Sequence, residues 1–376
     1  VGVISRVICG DALDVLRTLE AESVHAVVTD PPYGLRFMGA AWDHGVPGEP
    51  FWRESLRVAK PGAHLVAFGG TRTFHRLTCA IEDAGWEIRD CLSWLYGSGF
   101  PKSENQHGAW EGWGSALKPG WEPILLARKP LCGTIAENLA THGCGALNID
   151  ACRLPVTDEA YARNCSGRRG HADNRHRPSA FTMTAGSGSD AGRWPANVTI
   201  DQTAAELLDQ QAGERVSGKP GTMRSGVNTS AAYGAESRPP GTPMTGYGDR
   251  GGPSRFFYCP KASRAERDAG LHGEKQPLLW SSGTKNPGSF QSPNTDRSAR
   301  NPHPTVKPIE LMRWLVRLVT PPGRIVLDPF MGSGTTGIAA ACEGASFVGI
   351  DKVADYVEIA RRRIEATAPL FARVGT

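Results

Sequence analysis

The chain has 376 residues, enough for two or three domains of ordinary size or one large domain carrying an insertion. With 40% hydrophobic and 21% charged residues it suits a globular protein with a sizeable core, and no run of about 18 apolar residues offers a membrane span. Nine cysteines are scattered without a single C-x-x-C spacing, which argues against both a zinc site and a disulfide framework, so no metal is expected. Val1 to Gly10 lacks a charged segment followed by an apolar one, and a cytoplasmic setting is the simplest expectation. Net charge is only +4, but from Tyr161 to Arg300 there are 19 Lys and Arg against 12 Asp and Glu. A basic middle between near-neutral ends points to a polyanion partner or to a solvated surface loop.

Both ends of the chain are patterned. Ala12 to Leu19 reads as a short helix after Gly10-Asp11. Val24 to Thr29 is an apolar run closed by Asp30-Pro31-Pro32, because proline cannot donate to a strand ladder. Phe51 to Ala59 is helix-like and ends at Lys60-Pro61-Gly62; Ala63 to Phe68 follows as a buried strand. Arg72 to Ala84 has helical spacing, with Phe74, Leu77 and Ile81 on one face and Gly85 as its stop. Trp86 to Leu95 and Pro123 to Ala127 are further strands.

From about Lys129 to Asn301 the periodicity fails. Gly- and Pro-rich runs dominate, with short organised islands at Asn148 to Asp150, Trp194 to Ile200, Ala204 to Gln211 and Phe256 to Tyr258. So long a loop inside a compact domain is better read as an inserted module. Pattern returns with a helix over Pro308 to Val319, a strand over Arg324 to Leu327, and a helix opened by Gly332-Ser-Gly334 and running to about Glu343. A strand over Ser346 to Ile350 then leads into Asp351, and a final helix covers Val353 to Ala366. Strands alternating with helices predict an α/β fold with a mainly parallel, doubly wound sheet. The expected division is a core of residues 1–130 and 301–376 with an insertion over 131–300.

Two motifs carry chemistry. The first is Asp328-Pro-Phe-Met-Gly-Ser-Gly-Thr-Thr336 between a strand and a helix, followed by Asp351 at the end of the next strand. Glycines at such a turn let a ligand approach the backbone, and an acid there accepts from ribose hydroxyls. The full G-x-G-x-x-G and P-loop spacings are absent, which favours a nucleoside over a dinucleotide or ATP. The second is Asp30-Pro31-Pro32-Tyr33 at a strand end. Two prolines stiffen the turn and leave its acceptors open, so the Asp30 carboxylate and the Pro31 carbonyl can both accept from one amino group. Tyr33 offers a flat face for a base.

Together these motifs resemble those of the S-adenosylmethionine-dependent amino-methyltransferases of DNA. The catalytic motif precedes the cofactor motif, as in the beta-type, circularly permuted N6-adenine and N4-cytosine enzymes. His303-Pro-Thr-Val-Lys-Pro308 resembles that family's element before the cofactor strand, and Gly10-Asp11 its short N-terminal element. Trp94 to Lys102 sits where the family carries an aromatic and basic loop near the flipped base. The stretch through Trp121-Glu-Pro resembles the phage- and prophage-associated branch, and the basic insertion matches the target-recognition region in position only.

The resemblance implies a Rossmann-like methyltransferase fold, S-adenosyl-L-methionine as cofactor and double-stranded DNA as partner; a homodimer is an open expectation. It implies that Asp328, Phe330, Gly332 and Gly334 form the cofactor loop, with Thr335 near the methionine end. Asp351 would bind the ribose, Asp11 would lie near the adenine, and Lys307 would pair with the methionine carboxylate. Asp30, Pro31, Pro32 and Tyr33 would hold the flipped base, with Phe100 as a second stacking surface. Asp at the first motif position usually accompanies adenine in this family, which favours N6 of adenine. N4 of cytosine remains open, as does a catalytically inactive DNA-binding module.

Overall fold

The computed structural model describes residues 3–35, 43–97, 99, 103–154, 192–216, 250–258, 260, 267–268, 270–271, 276–277, 298–301, 303, 305–367 and 372–375. Phe100 and the clustered Arg168, Arg169, Arg175 and Arg177 lie outside these residues. The described residues form two compact units. Unit 1 is Val1–Cys152, Asn197–Gln202 and Cys259–Thr376, and unit 2 is Arg153–Ala196 and Thr203–Tyr258.

Beside a short antiparallel pair of Gln276–Pro277 with Ser298–Ala299, unit 1 is built on one nine-stranded sheet. Its strands are β1 (Val3–Cys9), β2 (Val24–Thr29), β3 (Ala59–Phe68), β4 (Glu87–Leu95), β5 (Trp121–Arg128), β6 (Val198–Ile200), β7 (Ile325–Asp328), β8 (Ser346–Asp351) and β9 (Ala372–Gly375). They lie in the order β9-β1-β8-β7-β2-β3-β5-β4-β6. Pairing is parallel except that β5 runs antiparallel to both β3 and β4. Among the described residues the α-helices are α1 (Ala12–Thr18), α2 (Glu49–Val58), α3 (Phe74–Asp83), α4 (Ile135–His142), α5 (Gln202–Ala212), α6 (Ile309–Val319), α7 (Thr335–Cys342) and α8 (Ala354–Thr367). The fold is thus α/β with a mainly parallel sheet, as expected.

Helices cover both faces. Val27, Leu65 and Leu327 share an apolar cluster with Leu16 of α1, Phe51 and Trp52 of α2, and Leu77 and Ile81 of α3. Their strand neighbours Ala26, Val28, Val66 and Val326 are equally buried but stand outside that cluster. Alternation along a strand sends them to the opposite face, where α6 packs on β2 and β3, and α6, α7 and α8 pack in sequence on one another. Trp52 and Trp86 are buried with their indole N–H groups donating to the carbonyls of Pro47 and Trp52, so each brings its apolar area inside without an orphaned donor. Truncating either to alanine removes about 3–5 kcal/mol.

Several elements differ from the sequence expectation, each for a local reason. The strand β3 starts at Ala59 rather than Ala63: Ala59 pairs with Val24 and the next partners are His64 and Ala26, so Lys60-Pro61-Gly62 bulge out of the ladder instead of ending the element. The first strand carries a weak sequence signal because it buries Ser5 and exposes Ile4, although Arg6 and Val7 then follow the usual alternation. Helix α4 buries Asn138 while Ile135 and Leu139 face solvent. The Asn138 side chain accepts from Cys132 N–H and donates to the carbonyls of Pro61 and Cys144, tying the loop after β5 to the β3 bulge.

Unit 2 holds most of α5 and an antiparallel pair of Arg215–Val216 with Arg250–Gly251. The Asp209 carboxylate accepts from the Ser254 amide and hydroxyl. Arg153 lies over Trp194 at 5.0 Å, and Arg193 and Arg255 lie over Phe256 at 5.3 and 4.4 Å.

Two glycines that open or follow α7 separate backbone strain from packing. Gly334 (φ 81°) stands where a Cβ would meet Ala360 Cβ at 2.7 Å, whereas Gly344 (φ 69°) has open space around it. Gly344→Ala is expected to cost about 1–2 kcal/mol from left-handed backbone alone. Gly334→Ala adds the collision with α8, for a loss of about 2–4 kcal/mol. Urea unfolding of the two variants side by side checks the difference.

Candidate active site

Because β8, β7, β2 and β3 are parallel neighbours, their carboxyl ends share one sheet edge, where open α/β sheets place ligands. Asp351 ends β8, Asp328 ends β7 and leads into the glycine loop, and Asp30 follows β2. The antiparallel β5 begins at the same edge, since Ile124 pairs with Phe68, and so delivers Glu122 there. These groups line one cavity of about 640 Å³ that reaches from Asp30-Pro31-Pro32-Tyr33 to Asp11, the loop from Asp328 to Thr336, and Asp351.

The buried Asp328 carboxylate joins the two motifs. One oxygen accepts from the Thr29 hydroxyl at 2.7 Å and from the Phe330 amide at 3.0 Å; the other accepts from the Thr336 hydroxyl. Burial pushes its pKa up to about 7, against these three bonds, which pull it down. Asp351 accepts from the Gly332 amide at 3.0 Å and the Val353 amide at 2.8 Å. The carboxylate, which also accepts from the Lys352 backbone, keeps lone-pair capacity for a further donor. Burial raises its pKa, while the backbone bonds oppose that rise. Asp11 caps α1 through the Leu13 and Asp14 amides. Phe330 stacks on Phe51 at 4.7 Å, which fixes its ring at the cavity wall.

The loop glycines are small for a reason other than ligand approach. A Cβ on Gly332 would meet His303 Nε2 at 2.6 Å, and one on Gly334 would meet α8. The same helix sends the fully buried Arg363 under the loop, where its guanidinium donates to the Ser333 carbonyl and hydroxyl and to the Thr335 hydroxyl. Thr335 therefore lines the cavity with its hydroxyl already engaged.

At the other end the Tyr33 hydroxyl lies 2.9 Å from Asp30 Oδ1 and 3.0 Å from Glu122 Oε2. Burial, then the two carboxylates, hold it protonated well above its usual range. Lys307 also stands at this end of the cavity. Its ammonium donates to Asp30 Oδ2 at 2.6 Å and to Tyr33 Oη at 3.2 Å, and lies 3.5 Å from Glu122 Oε2. Burial alone would lower the Lys307 pKa, but Asp30 and Glu122 prevail and raise it.

Glu122, Asp43, His303 and Arg363 complete the site without having been assigned from sequence. Asp43 accepts from the Gly34 and Leu35 amides and so fixes the chain just after Tyr33. His303, left out of the catalytic set, packs its ring on Tyr356 and against Gly332. The cavity is acidic: Asp11, Asp30, Asp43, Glu122, Asp328 and Asp351 face Lys307 and Lys352. Such a lining suits a ligand carrying positive charge. Among the described residues no group of three or more His, Cys, Asp or Glu is placed to hold a metal ion, and no helix is long and apolar enough to cross a membrane.

A family model described as DNA methylase, N6/N4 type, matches residues 24–362. The chain belongs to the N6/N4 DNA methylase family. Within the family it is 48% identical over 64 residues to the type II methyltransferase M2.DpnII of Streptococcus pneumoniae, an alignment covering 17% of this chain and 24% of that one. It is 26% identical over 200 residues to the type II methyltransferase M.HindIII of Haemophilus influenzae, covering 37% of this chain and 63% of that one. The aligned part thus spans a quarter of one curated relative and under two thirds of the other. Similar solved structures include TTHA0409 of Thermus thermophilus complexed with S-adenosyl-L-methionine, at 20% identity over 99% of this chain and 100% of that one, with a TM-score of 0.43. The cytosine-N4-specific PvuII DNA methyltransferase is another, at 13% identity over 96% and 86%, with a TM-score of 0.46.

His303 gives the site an acid sensitivity. Burial, then Lys307, Arg267 and Arg363, lower its pKa from 6.5 to about 3. The unfolded chain therefore binds the extra proton between those values, so the stability from a neutral His303 is whole above about pH 6.5 and is lost as pH falls toward 3. Replacing it by glutamine is expected to shrink the stability difference between pH 7 and pH 5 by on the order of 1–2 kcal/mol. Urea midpoints of wild type and variant at the two pH values test this.

Proposed function

We propose that this N6/N4 family member transfers a methyl group from S-adenosyl-L-methionine to N6 of adenine in double-stranded DNA. One observation carries the proposal: the Asp30-Pro31-Pro32-Tyr33 turn and the Asp328 to Thr336 loop open into a single cavity. The chain fits the cofactor on two counts. The acid-rich lining matches a sulfonium cation, and Asp351 has acceptor capacity left for vicinal ribose hydroxyls. Phe330, Gly332, Gly334 and Thr335 would contact it along the loop, and Asp11 would lie toward its adenine.

When bound, the cofactor supplies an electrophilic methyl group whose bonding pair departs with sulfur as a neutral thioether. The chain's part is to present the nucleophile. A target base inside a duplex is out of reach, so it is extruded into the cavity. Asp30 and the Pro31 carbonyl accept the two N–H bonds of the exocyclic amine and aim its lone pair at the methyl carbon; alignment of this kind supplies much of the rate. Asp30 stabilises the positive charge that grows on nitrogen and then accepts the proton that nitrogen releases. Tyr33 supports the base by stacking, worth about 1–3 kcal/mol. Aspartate rather than serine at the first motif position supports adenine over cytosine.

Nucleosides from DNA incubated with enzyme and cofactor, separated by mass, are expected to contain N6-methyladenine; N4-methylcytosine alone would reverse the base assignment. Asp30→Ala is expected to abolish transfer and leave S-adenosylhomocysteine affinity within about threefold, whereas Asp351→Ala weakens that affinity by about tenfold or more, as loss of hydrogen bonds from a charged acceptor does. Calorimetry in which both substitutions weaken cofactor binding alike would undo this division of roles.

The region over 131–300 is proposed as the DNA-contacting part. Its basic excess suits phosphates, and the arginine–aromatic pairs at Trp194 and Phe256 are the chemistry that stacks on bases. Deleting Asn164 to Gly192 is expected to reduce DNA affinity and flatten its dependence on salt, with cofactor affinity unchanged. Unaltered affinity and salt slope in a filter-binding assay would remove that segment from the interface.

A further inference from the structure

We propose that Lys307 and Glu122 are positioning residues for methyl transfer: they clamp the Asp30 carboxylate and the Tyr33 hydroxyl in the arrangement that receives the target amine. The inference rests on the methyltransferase function proposed above and extends it to Glu122, which has no assigned part, and to Lys307, which the family resemblance places only with the cofactor's carboxylate.

Donors and acceptors match one another within this cluster. A lysine ammonium has three N–H donors, and Lys307 has three oxygen partners, on Asp30, Tyr33 and Glu122, at 2.6, 3.2 and 3.5 Å. Tyr33 has one proton to give and two carboxylates within reach, Asp30 at 2.9 Å and Glu122 at 3.0 Å. Two anions sharing one hydroxyl repel each other, and the cation between them is what lets both stay. The partners come from separate parts of the chain: Asp30 follows β2, Glu122 lies in β5, and Lys307 precedes α6. Lys307 is itself fixed, buried with its Nζ 4.9 Å from the Phe68 ring centre and 5.4 Å from that of Tyr33. Asp328 and His303 face this cluster electrostatically from β7 and from the segment before α6, and Tyr96 faces it from the end of β4.

With Lys307 on Asp30 Oδ2 and Tyr33 on Oδ1, both oxygens of the carboxylate are held in place while each retains a lone pair for a base N–H. Removing the cation leaves Asp30 and Glu122 to separate, and the acceptor for the amine moves. A displacement of about 1 Å at such a site costs on the order of a hundredfold in rate. The effect falls on the chemical step, because neither residue needs to touch the cofactor or the DNA backbone to act.

The test compares wild type, Lys307→Met, Lys307→Arg and the isosteric Glu122→Gln. Three quantities are measured: single-turnover methyl transfer to duplex DNA, S-adenosylhomocysteine affinity by calorimetry, and DNA affinity by fluorescence anisotropy. Lys307→Met is expected to slow single turnover by about a hundredfold with both affinities within about threefold of wild type. Lys307→Arg recovers part of that loss, and Glu122→Gln shows a smaller slowing of the same kind. If Lys307→Met fails to fold, Glu122→Gln alone decides, since it preserves shape. Wild-type rates in Glu122→Gln and Lys307→Met overturn the proposal. A fall in S-adenosylhomocysteine affinity as large as the fall in rate also overturns it, and moves Lys307 to the methionine carboxylate. A wild-type chain that methylates no DNA removes the parent function, an outcome distinct from an active wild type whose variants match it.

Discussion

The Asp328 carboxylate is the joint on which the site depends. It ends β7, yet it accepts from Thr29 at the end of β2 and from Thr336 in the first turn of α7. Asp30 is the residue after Thr29, and the glycine loop runs between Asp328 and Thr336. A single buried group therefore holds the Asp30-Pro31-Pro32-Tyr33 turn and the glycine loop at fixed separation. Breaking it leaves two hydroxyls and an amide without their acceptor inside the sheet edge, and each buried polar group so stranded costs about 1–3 kcal/mol. This explains why a carboxylate is kept there although burial alone disfavours its charge.

Parallel register supplies the rest. Once β2, β7 and β8 run side by side in one direction, a strand near the start of the chain and two successive strands near its end finish at the same edge. Reversal of direction at β5 then lets a fourth segment start where the others stop, which is how Glu122 enters. The glycine loop is braced from behind, by Arg363 and by the close approach of α8 to Gly334 and of His303 to Gly332. Rigidity behind the loop matters for a methyl transfer, which depends on aligned attack more than on any acid or base strength.

How far the sequence revealed this depended on whether a signal was local. Asp30-Pro31-Pro32-Tyr33 and the Asp328 loop were legible because prolines stiffen the one, closely spaced glycines mark a tight turn in the other, and the strands before them are largely apolar. Helix α4 carried a local signal too, in the capping box of Thr134 with Glu137 and the left-handed Gly143 after its end, but its inward residue is an asparagine and its apolar residues face out. The partners of Lys307 were not legible: a lysine in a His-Pro-Thr-Val-Lys-Pro segment has no sequence neighbour that reveals which carboxylate it meets. The same holds for Arg363, one of three consecutive arginines of which it alone is fully buried.

The order of motifs follows from the same geometry. The Asp30-Pro31-Pro32-Tyr33 turn and the Asp328 to Thr336 loop are almost 300 residues apart in sequence, yet the two strands that bear them, β2 and β7, are hydrogen-bonded neighbours. The sheet also pairs β1 with β8 and β9, so the first strand lies between the last two. Because β2 and β7 are neighbours, the order of the two motifs along the chain does not alter which strand ends meet at the site. Here the segment after β5 and α4 can take up a large basic region while Asp30, Asp328 and Asp351 keep their positions, because each is held by the parallel strand it terminates or follows.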